Sequence, residues 1–165
     1  MEQEQVQQLA RRVIELYYPE ISSKIISVNI SIVPEPWALE DMSVQLEKGS
    51  ILVSGKIPEV MMNDPNIETI LTGLLGHEFS HLIRSSYNGL QSLLNSKFFD
   101  RLTYIRNRVD LALERAFDRE TLKRGLGHQL CEAISYLEQF KYLNQLATTP
   151  RGYDSSQLLK RIGQR

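Results

Sequence analysis

Apolar and polar residues alternate along the chain with two different periods, which predict helices and strands. From Val6 to Tyr18 apolar residues recur at three- and four-residue steps, the period of an amphipathic helix, and Pro19 ends the pattern. From Ile25 to Val33 isoleucine and valine alternate with serine and asparagine, which predicts a half-buried strand. The first part of the sequence thus predicts a helix followed by a strand.

A second alternation, from Met42 to Glu47, predicts another strand. It continues through Gly49 into the apolar run Ser50–Ser54, which predicts a hairpin with Gly49 at its turn. We expect the strand Ser50–Ser54 to present an open edge that an extended peptide could pair with. A short helix is expected from Lys56 to Met62.

Helical periodicity dominates the rest of the chain. After the break at 63–66, which carries good capping residues, four helical patterns follow. They run to about Ser86, from about Lys97 to Lys123, from about Gln129 to Leu146, and from Ser155 to Ile162. The predicted fold class is therefore α+β: a small, mostly antiparallel sheet of about three strands from residues 25 to 54, packed on helices, with a helical C-terminal part.

The first of these helices contains the sequence Gly-His77-Glu78-Phe-Ser-His81, an HExxH motif. Four residues turn a helix through about 400°, so His77 and His81 lie on one face, where both imidazoles can reach one metal ion. Glu78 projects beside them, where it can hold a water molecule. Gly73 and Gly76 in the same helix lower its helix propensity. Two explanations stay open: close packing of the helix against a neighbour, or glycines that are merely tolerated in its interior.

Composition narrows the classes of function. With 19 basic and 20 acidic residues the net charge is −1, which gives no indication of nucleic-acid binding. Cys131 is the only cysteine, so no internal disulfide can form, and the polar start of the sequence does not resemble a secretory signal. No stretch reaches the roughly 20 apolar residues of a membrane span. We expect residues 1–165 to form one domain of a soluble, cytoplasmic protein.

A hydrolytic zinc site needs a third protein ligand besides two histidines. The candidates are His128 and a carboxylate stripe, Asp110, Glu114 and Asp118, at four-residue steps on the second long helix. Glu114 is favoured, because Asp118 lies one turn later and can accept the free imidazole N–H of a ligand histidine. Asp110 stays open as the alternative ligand. The stripe would otherwise be a solvated face that pairs with neighbouring arginines.

The order of these elements resembles the gluzincin metallopeptidases. Closest is the family of the membrane heat-shock and CaaX-prenyl proteases, in which HExxH is followed by ExxxD on a later helix, here Glu114 to Asp118. The resemblance covers roughly residues 37 to 125. The chain departs from the family in two ways: Phe117 stands where the family has alanine, and the membrane spans are absent. It therefore looks like a soluble, minimal version of the family.

The resemblance implies a zincin-like fold, one zinc ion and a peptide or protein substrate. His77, His81 and Glu114 would be the metal ligands, Glu78 the general base, and Asp118 would orient a ligand histidine. The group that stabilises the oxyanion stays open among four residues: Arg124, His128, Tyr136 and Tyr153. The alternative function is a zinc-binding or helical protein-interaction domain without activity.

Overall fold

The computed structural model describes residues 3–33, 43–47, 50–58, 62–83, 103–144 and 152–163. Within these ranges the order of elements is α1 (Gln3–Tyr17), β1 (Ile25–Val33), β2 (Ser43–Glu47), β3 (Ser50–Pro58), α2 (Ile67–Ile83), α3 (Thr103–Lys123), α4 (Gly127–Asn144) and α5 (Ser155–Ile162). A short 3₁₀ helix, Pro19–Lys24, follows α1. The predicted helices are confirmed where they are described, except the short helix expected from Lys56 to Met62. The turn at Gly49 and the predictions for residues 59–61, 84–86, 97–102 and 145–146 lie outside the described residues.

The predicted fold class, an α+β fold with a mostly antiparallel sheet, is wrong. The described chain is mainly helical, and its strands form only a small mixed sheet in the order β1-β3-β2. β1 runs parallel to β3 over almost its whole length, whereas β2 pairs antiparallel with β3 over five residues. Alternating apolar residues predict that a segment is extended, but they carry no information on the direction of its neighbour. The antiparallel pairing of β2 with β3 agrees with the predicted hairpin, whereas the parallel direction of β1 was decided by the tertiary structure.

The expectation of an open edge at Ser50–Ser54 is also wrong. β3 is the central strand, with β1 on one side and β2 on the other. It continues to Pro58, which pairs with Val33, so the short helix predicted from Lys56 is wrong at its first residues. The reason is the length of β1, since pairing all of that strand requires β3 to stay extended. β2 is the strand that contacts α2.

α2 is the central helix of the described chain, because it contacts α1, α3, α4 and β2. Its own apolar residues are distributed around almost the whole circumference of the helix, which is the pattern of a helix buried on most sides. Leu71, Leu75 and Phe79 are fully buried. The main core cluster joins this helix to α1, which contributes Val6, Leu9, Ala10, Val13 and Ile14. A second cluster joins the end of α3 to α4 and α5 through Leu122, Leu130, Cys131, Ile134, Tyr153 and Leu158.

Gly73 and Gly76 allow close packing of α2, the first of the two explanations that the sequence left open. A Cβ at Gly73 would lie 2.2 Å from the carbonyl oxygen of Gln129, in the backbone of α4. A Cβ at Gly76 would meet the Cδ1 atom of Leu126 at 2.6 Å. The backbones of α2 and α4 therefore approach each other at a point where no side chain fits.

We expect Gly73→Ala to lower the free energy of unfolding by about 2–3 kcal/mol, because the added methyl group must push two helix backbones apart. Urea denaturation of the metal-free protein measures this change. Gly163→Ala is the matched control, since its Cβ would meet nothing closer than the Leu159 carbonyl oxygen at 3.5 Å. Equal denaturation midpoints for the two variants would contradict the close contact of α2 with α4.

Candidate metal centre

The two motif histidines lie one turn apart on α2, and their side chains meet. The Nε2 atoms of His77 and His81 are 3.2 Å apart. Their side chains are 16% and 22% exposed, respectively, so the pair is largely buried but still reachable from solvent. The spacing of the HExxH motif therefore has the geometric effect that the helical period predicts.

Glu114 of α3 completes a triangle of ligand atoms with the two histidines. Its Oε2 atom lies 3.2 Å from His77 Nε2 and 4.0 Å from His81 Nε2. Within the described part of the chain, these residues form a group of potential ligands whose atoms all lie within 4.8 Å of one another. Two ligands of a tetrahedral zinc ion, each about 2.0–2.1 Å from it, are about 3.3 Å apart. The two distances from His77 match this spacing, whereas the 4.0 Å between His81 and Glu114 exceeds it. Two imidazoles and a carboxylate form a donor set for a divalent metal ion that does not by itself select zinc.

Asp118, one turn after Glu114, fixes the ring of His77. Its Oδ1 atom lies 2.8 Å from His77 Nδ1, and its side chain is only 1% exposed. A carboxylate accepts a hydrogen bond, so Nδ1 of His77 carries the proton and Nε2 is left with a lone pair in the neutral ring. That lone pair faces the carboxylate of Glu114.

Two acceptors at this distance repel each other unless a cation lies between them, either a proton or a metal ion. Without a metal ion this contact favours a proton on Nε2, which agrees with the direction in which the pKa of His77 shifts. Burial acts to lower the pKa of His77, but the hydrogen bonds to Asp118 and Glu114 outweigh it and raise the pKa well above its ordinary value. Metal binding here would displace that proton from Nε2.

His81 is held in the neutral form that a metal ligand requires. Burial, reinforced by the nearby charge of His77, lowers the pKa of His81 to about 4. The ring of Phe117 stacks on the His81 ring with 3.7 Å between their centroids and 28° between their planes. Phe117 is the residue that departs from the resembled family, and here it packs on a candidate ligand.

Glu78 is a half-buried carboxyl group next to His77 in the sequence, and its pKa responds to the charges of His77 and Glu114. Burial raises its pKa to about 7; the charge of His77 opposes the shift, and Glu114 adds to it. A carboxyl group with a pKa near neutrality can both accept and donate a proton under physiological conditions. Glu78 is therefore a candidate for proton transfer.

His128, the other candidate ligand whose side chain is described, does not join this cluster. The side chain of His128 is exposed at the start of α4, and the side chain of Asp110 lies outside the described residues. Arg124 donates hydrogen bonds to the Tyr17 carbonyl oxygen, at 2.6 Å, and to the carboxylate of Glu20 in the 3₁₀ helix. Its guanidinium group is therefore bound near the end of α1. Tyr153 is buried. The oxyanion-stabilising group stays open.

Sequence reasoning missed a buried network that holds the helices of the site together. The hydroxyl of Tyr18 donates to the Gly76 carbonyl oxygen at 2.6 Å and lies 3.0 Å from Ser80 Oγ. Ser80 Oγ is in turn 2.9 Å from Thr121 Oγ1. The network links the end of α1 to α2 and α3, directly behind the motif. Ser80 is one of the unspecified positions of HExxH, so no motif signals its role.

A second missed feature is the segment at Gly152 and Tyr153. The backbone N–H of Tyr153 donates to Asp118 Oδ2 at 2.8 Å. These residues are 35 positions apart in the sequence. The pattern of side chains along the sequence does not show which backbone N–H groups are donors to a distant residue. Gly152 was the only indirect indication, since glycine is the residue that commonly adopts a positive φ angle.

No protein-family model matches the chain, and no curated protein or solved structure matches it either. No helix in the described ranges combines the length and the apolar character that a membrane crossing needs. The function therefore has to be inferred from the chemistry of the site.

Proposed function

We propose that the protein is a zinc metallopeptidase of the gluzincin type, with His77, His81 and Glu114 as zinc ligands. The observation that carries the proposal is the triangle of three ligand atoms with the half-buried Glu78 next to the first of them. A structural zinc site has no use for a proton acceptor at that place, whereas a hydrolytic site requires one. The HExxH and ExxxD resemblance supports the same class.

When bound, the zinc ion supplies Lewis acidity towards a peptide carbonyl group and a water molecule. Glu78 accepts the proton of the attacking water and passes it to the leaving amine, for which its pKa of about 7 is suited. Asp118 holds His77 through Nδ1, so that Nε2 stays directed at the metal position. Phe117 fixes the plane of the His81 ring.

A peptide substrate fits the neighbouring sheet. β2 contacts α2, and its edge away from β3 pairs with no strand among the described residues. An extended peptide would add to such an edge through backbone hydrogen bonds. We further propose a cytoplasmic location, since one cysteine cannot form an internal disulfide.

The test is cleavage of a diverse peptide library by protein that carries about one zinc ion per chain by elemental analysis. We expect new peptide termini by mass spectrometry, their loss after a zinc chelator, and their return when zinc is restored. Protein that binds zinc but produces no new termini would favour the zinc-binding domain without activity. Protein that binds no zinc would contradict the site itself.

A further inference from the structure

Asp118 is held from two sides. Its Oδ1 atom lies 2.8 Å from His77 Nδ1, and its Oδ2 atom accepts the backbone N–H of Tyr153 at 2.8 Å. The side chain is 1% exposed, so water cannot replace either partner readily. A carboxylate with both oxygens bound in this way has one orientation, and that orientation sets the position of the His77 ring.

Gly152 makes the second contact possible. A Cβ at this residue would lie 2.4 Å from Asp118 Oδ2 and 3.3 Å from its Cγ atom. Carbon and oxygen do not approach to 2.4 Å without a bond, so any larger residue would displace the carboxylate. The φ angle of Gly152 is +108°, a conformation that residues with a side chain rarely adopt. Both requirements point to glycine.

The segment that carries these residues is anchored on α3, α4 and α5. The guanidinium groups of Arg115 and Arg161 both contact the ring of Tyr153, with their Cζ atoms 5.3 Å and 4.3 Å from the ring centroid, respectively. Glu138 of α4 accepts the backbone N–H of Ser155 at 3.1 Å. The N–H of Tyr153 therefore reaches Asp118 from a fixed direction.

We propose that Gly152 and the backbone amide of Tyr153 are positioning groups of the metal site. They fix the Asp118 carboxylate so that its other oxygen holds Nδ1 of His77, which directs Nε2 to the point that it shares with His81 and Glu114. This inference rests on the proposed zinc site and adds a segment from outside the HExxH and ExxxD helices. Zinc binding and the docking of residues 152–163 then stabilise each other, because coupling between two sites is reciprocal.

The test compares Gly152→Ala with Gly125→Ala. Gly125 also has a positive φ angle, +87°, but a Cβ there would meet nothing within 4 Å. Both variants carry backbone strain, and only the first displaces Asp118. We expect Gly152→Ala to weaken zinc affinity by about 10-fold or more, as loss of an outer hydrogen bond to a ligand does, and Gly125→Ala to leave it unchanged. Competition with a chromogenic chelator measures the affinity.

A double-mutant cycle shows whether the effect passes through Asp118. Asp118→Ala is expected to weaken zinc binding by about 10- to 100-fold. Adding Gly152→Ala to it should cause no further loss, because the clashing carboxylate is gone. The absorption spectrum of the cobalt(II)-substituted protein should change in Gly152→Ala and not in Gly125→Ala. A merely structural role would lower the unfolding free energy and leave both the zinc affinity and the cobalt spectrum of the folded protein unchanged.

The outcomes separate this inference from the proposed function. If Gly152→Ala binds zinc as Gly125→Ala does, while Asp118→Ala weakens binding, the positioning role is wrong and the zinc site stands. If the wild-type protein binds no zinc, the proposed function itself fails, and the inference fails with it. Should Gly152→Ala not fold, Tyr153→Ala decides, since it removes the ring that anchors the segment but keeps the amide. Weaker zinc binding than in Gly125→Ala supports the inference, and wild-type affinity overturns it.

Discussion

Replacement of Glu78 by glutamine is expected to lower kcat/KM by at least about 10²-fold while the zinc content stays near one ion per chain. The amide has almost the same shape as the carboxyl group but cannot accept the proton of the attacking water. Glu78 is not among the three clustered ligand atoms, so metal binding does not depend on it. The measurement is the rate of cleavage of the best peptide from the library, beside elemental analysis of the same sample.

Glu68→Gln provides the matched control. Glu68 lies on the same helix, where it forms an exposed ion pair with Arg12 at 2.9 Å. Such pairs contribute little to stability, so both turnover and zinc content should equal those of the wild type. Unchanged turnover in Glu78→Gln would show that Glu78 is not the base. If a zinc chelator also left the cleavage rate of the wild-type protein unchanged, the assignment to the metallopeptidases would be contradicted.

The second large effect is expected from Glu114→Ala, which should bring the zinc content close to background, as should His77→Ala. A site with three protein ligands that loses one keeps only two donors, too few for the tetrahedral coordination of a hydrolytic zinc. The variant also removes one of the two hydrogen bonds that raise the pKa of His77. Elemental analysis of protein purified without a metal-affinity tag measures the effect.

Asp110→Ala is the informative comparison for this prediction. Asp110 lies one turn before Glu114 on α3 and was the alternative third ligand in the sequence. With Glu114 as the ligand, Asp110→Ala keeps its zinc. Loss of zinc in Asp110→Ala and retention in Glu114→Ala would reverse the assignment. Loss in both would indicate that the two carboxylates share the site.

Burial gives the members of this site different protonation states. Glu78 has its pKa raised to about 7 and His81 has its pKa lowered to about 4, since burial disfavours the charged form of each. The pKa of His77 is raised instead, opposite to that of His81, because Asp118 and Glu114 accept its hydrogen bonds. Three titratable groups with different shifts in pKa, His77, Glu78 and His81, therefore lie within about one turn of α2, opposite the carboxylates of α3.

Local sequence patterns predicted the elements that carry the site. The spacing of His77 and His81 was enough to place both rings on one face, because helix geometry fixes residues four positions apart. The spacing of Glu114 and Asp118 did the same on α3. That the two histidines face the two carboxylates was a hypothesis, which came from the motif pair. It required α2 and α3 to pack against each other, and no local pattern specifies such packing.

The sheet shows where local pattern stops being informative. Extended conformation was predicted correctly for β1 and β2, but the parallel pairing of β1 with β3 and the central place of β3 were not. A period of two residues says which side chains share a face and leaves the partner and its direction undetermined. The same limit explains why β3 continues to Pro58 where a helix was predicted.

The sequence by itself determined the chemistry: two histidines and a glutamate at helical spacing, followed by a glutamate and an aspartate at the same spacing. These depend on neighbours within one helical turn, which the backbone geometry fixes. Only the tertiary structure decided the environment of these groups. The stacking of Phe117 on His81, the network from Tyr18 to Thr121, and the amide of Tyr153 on Asp118 join residues 35 or more positions apart. Such contacts follow from how the helices pack, and packing is a property of the whole chain.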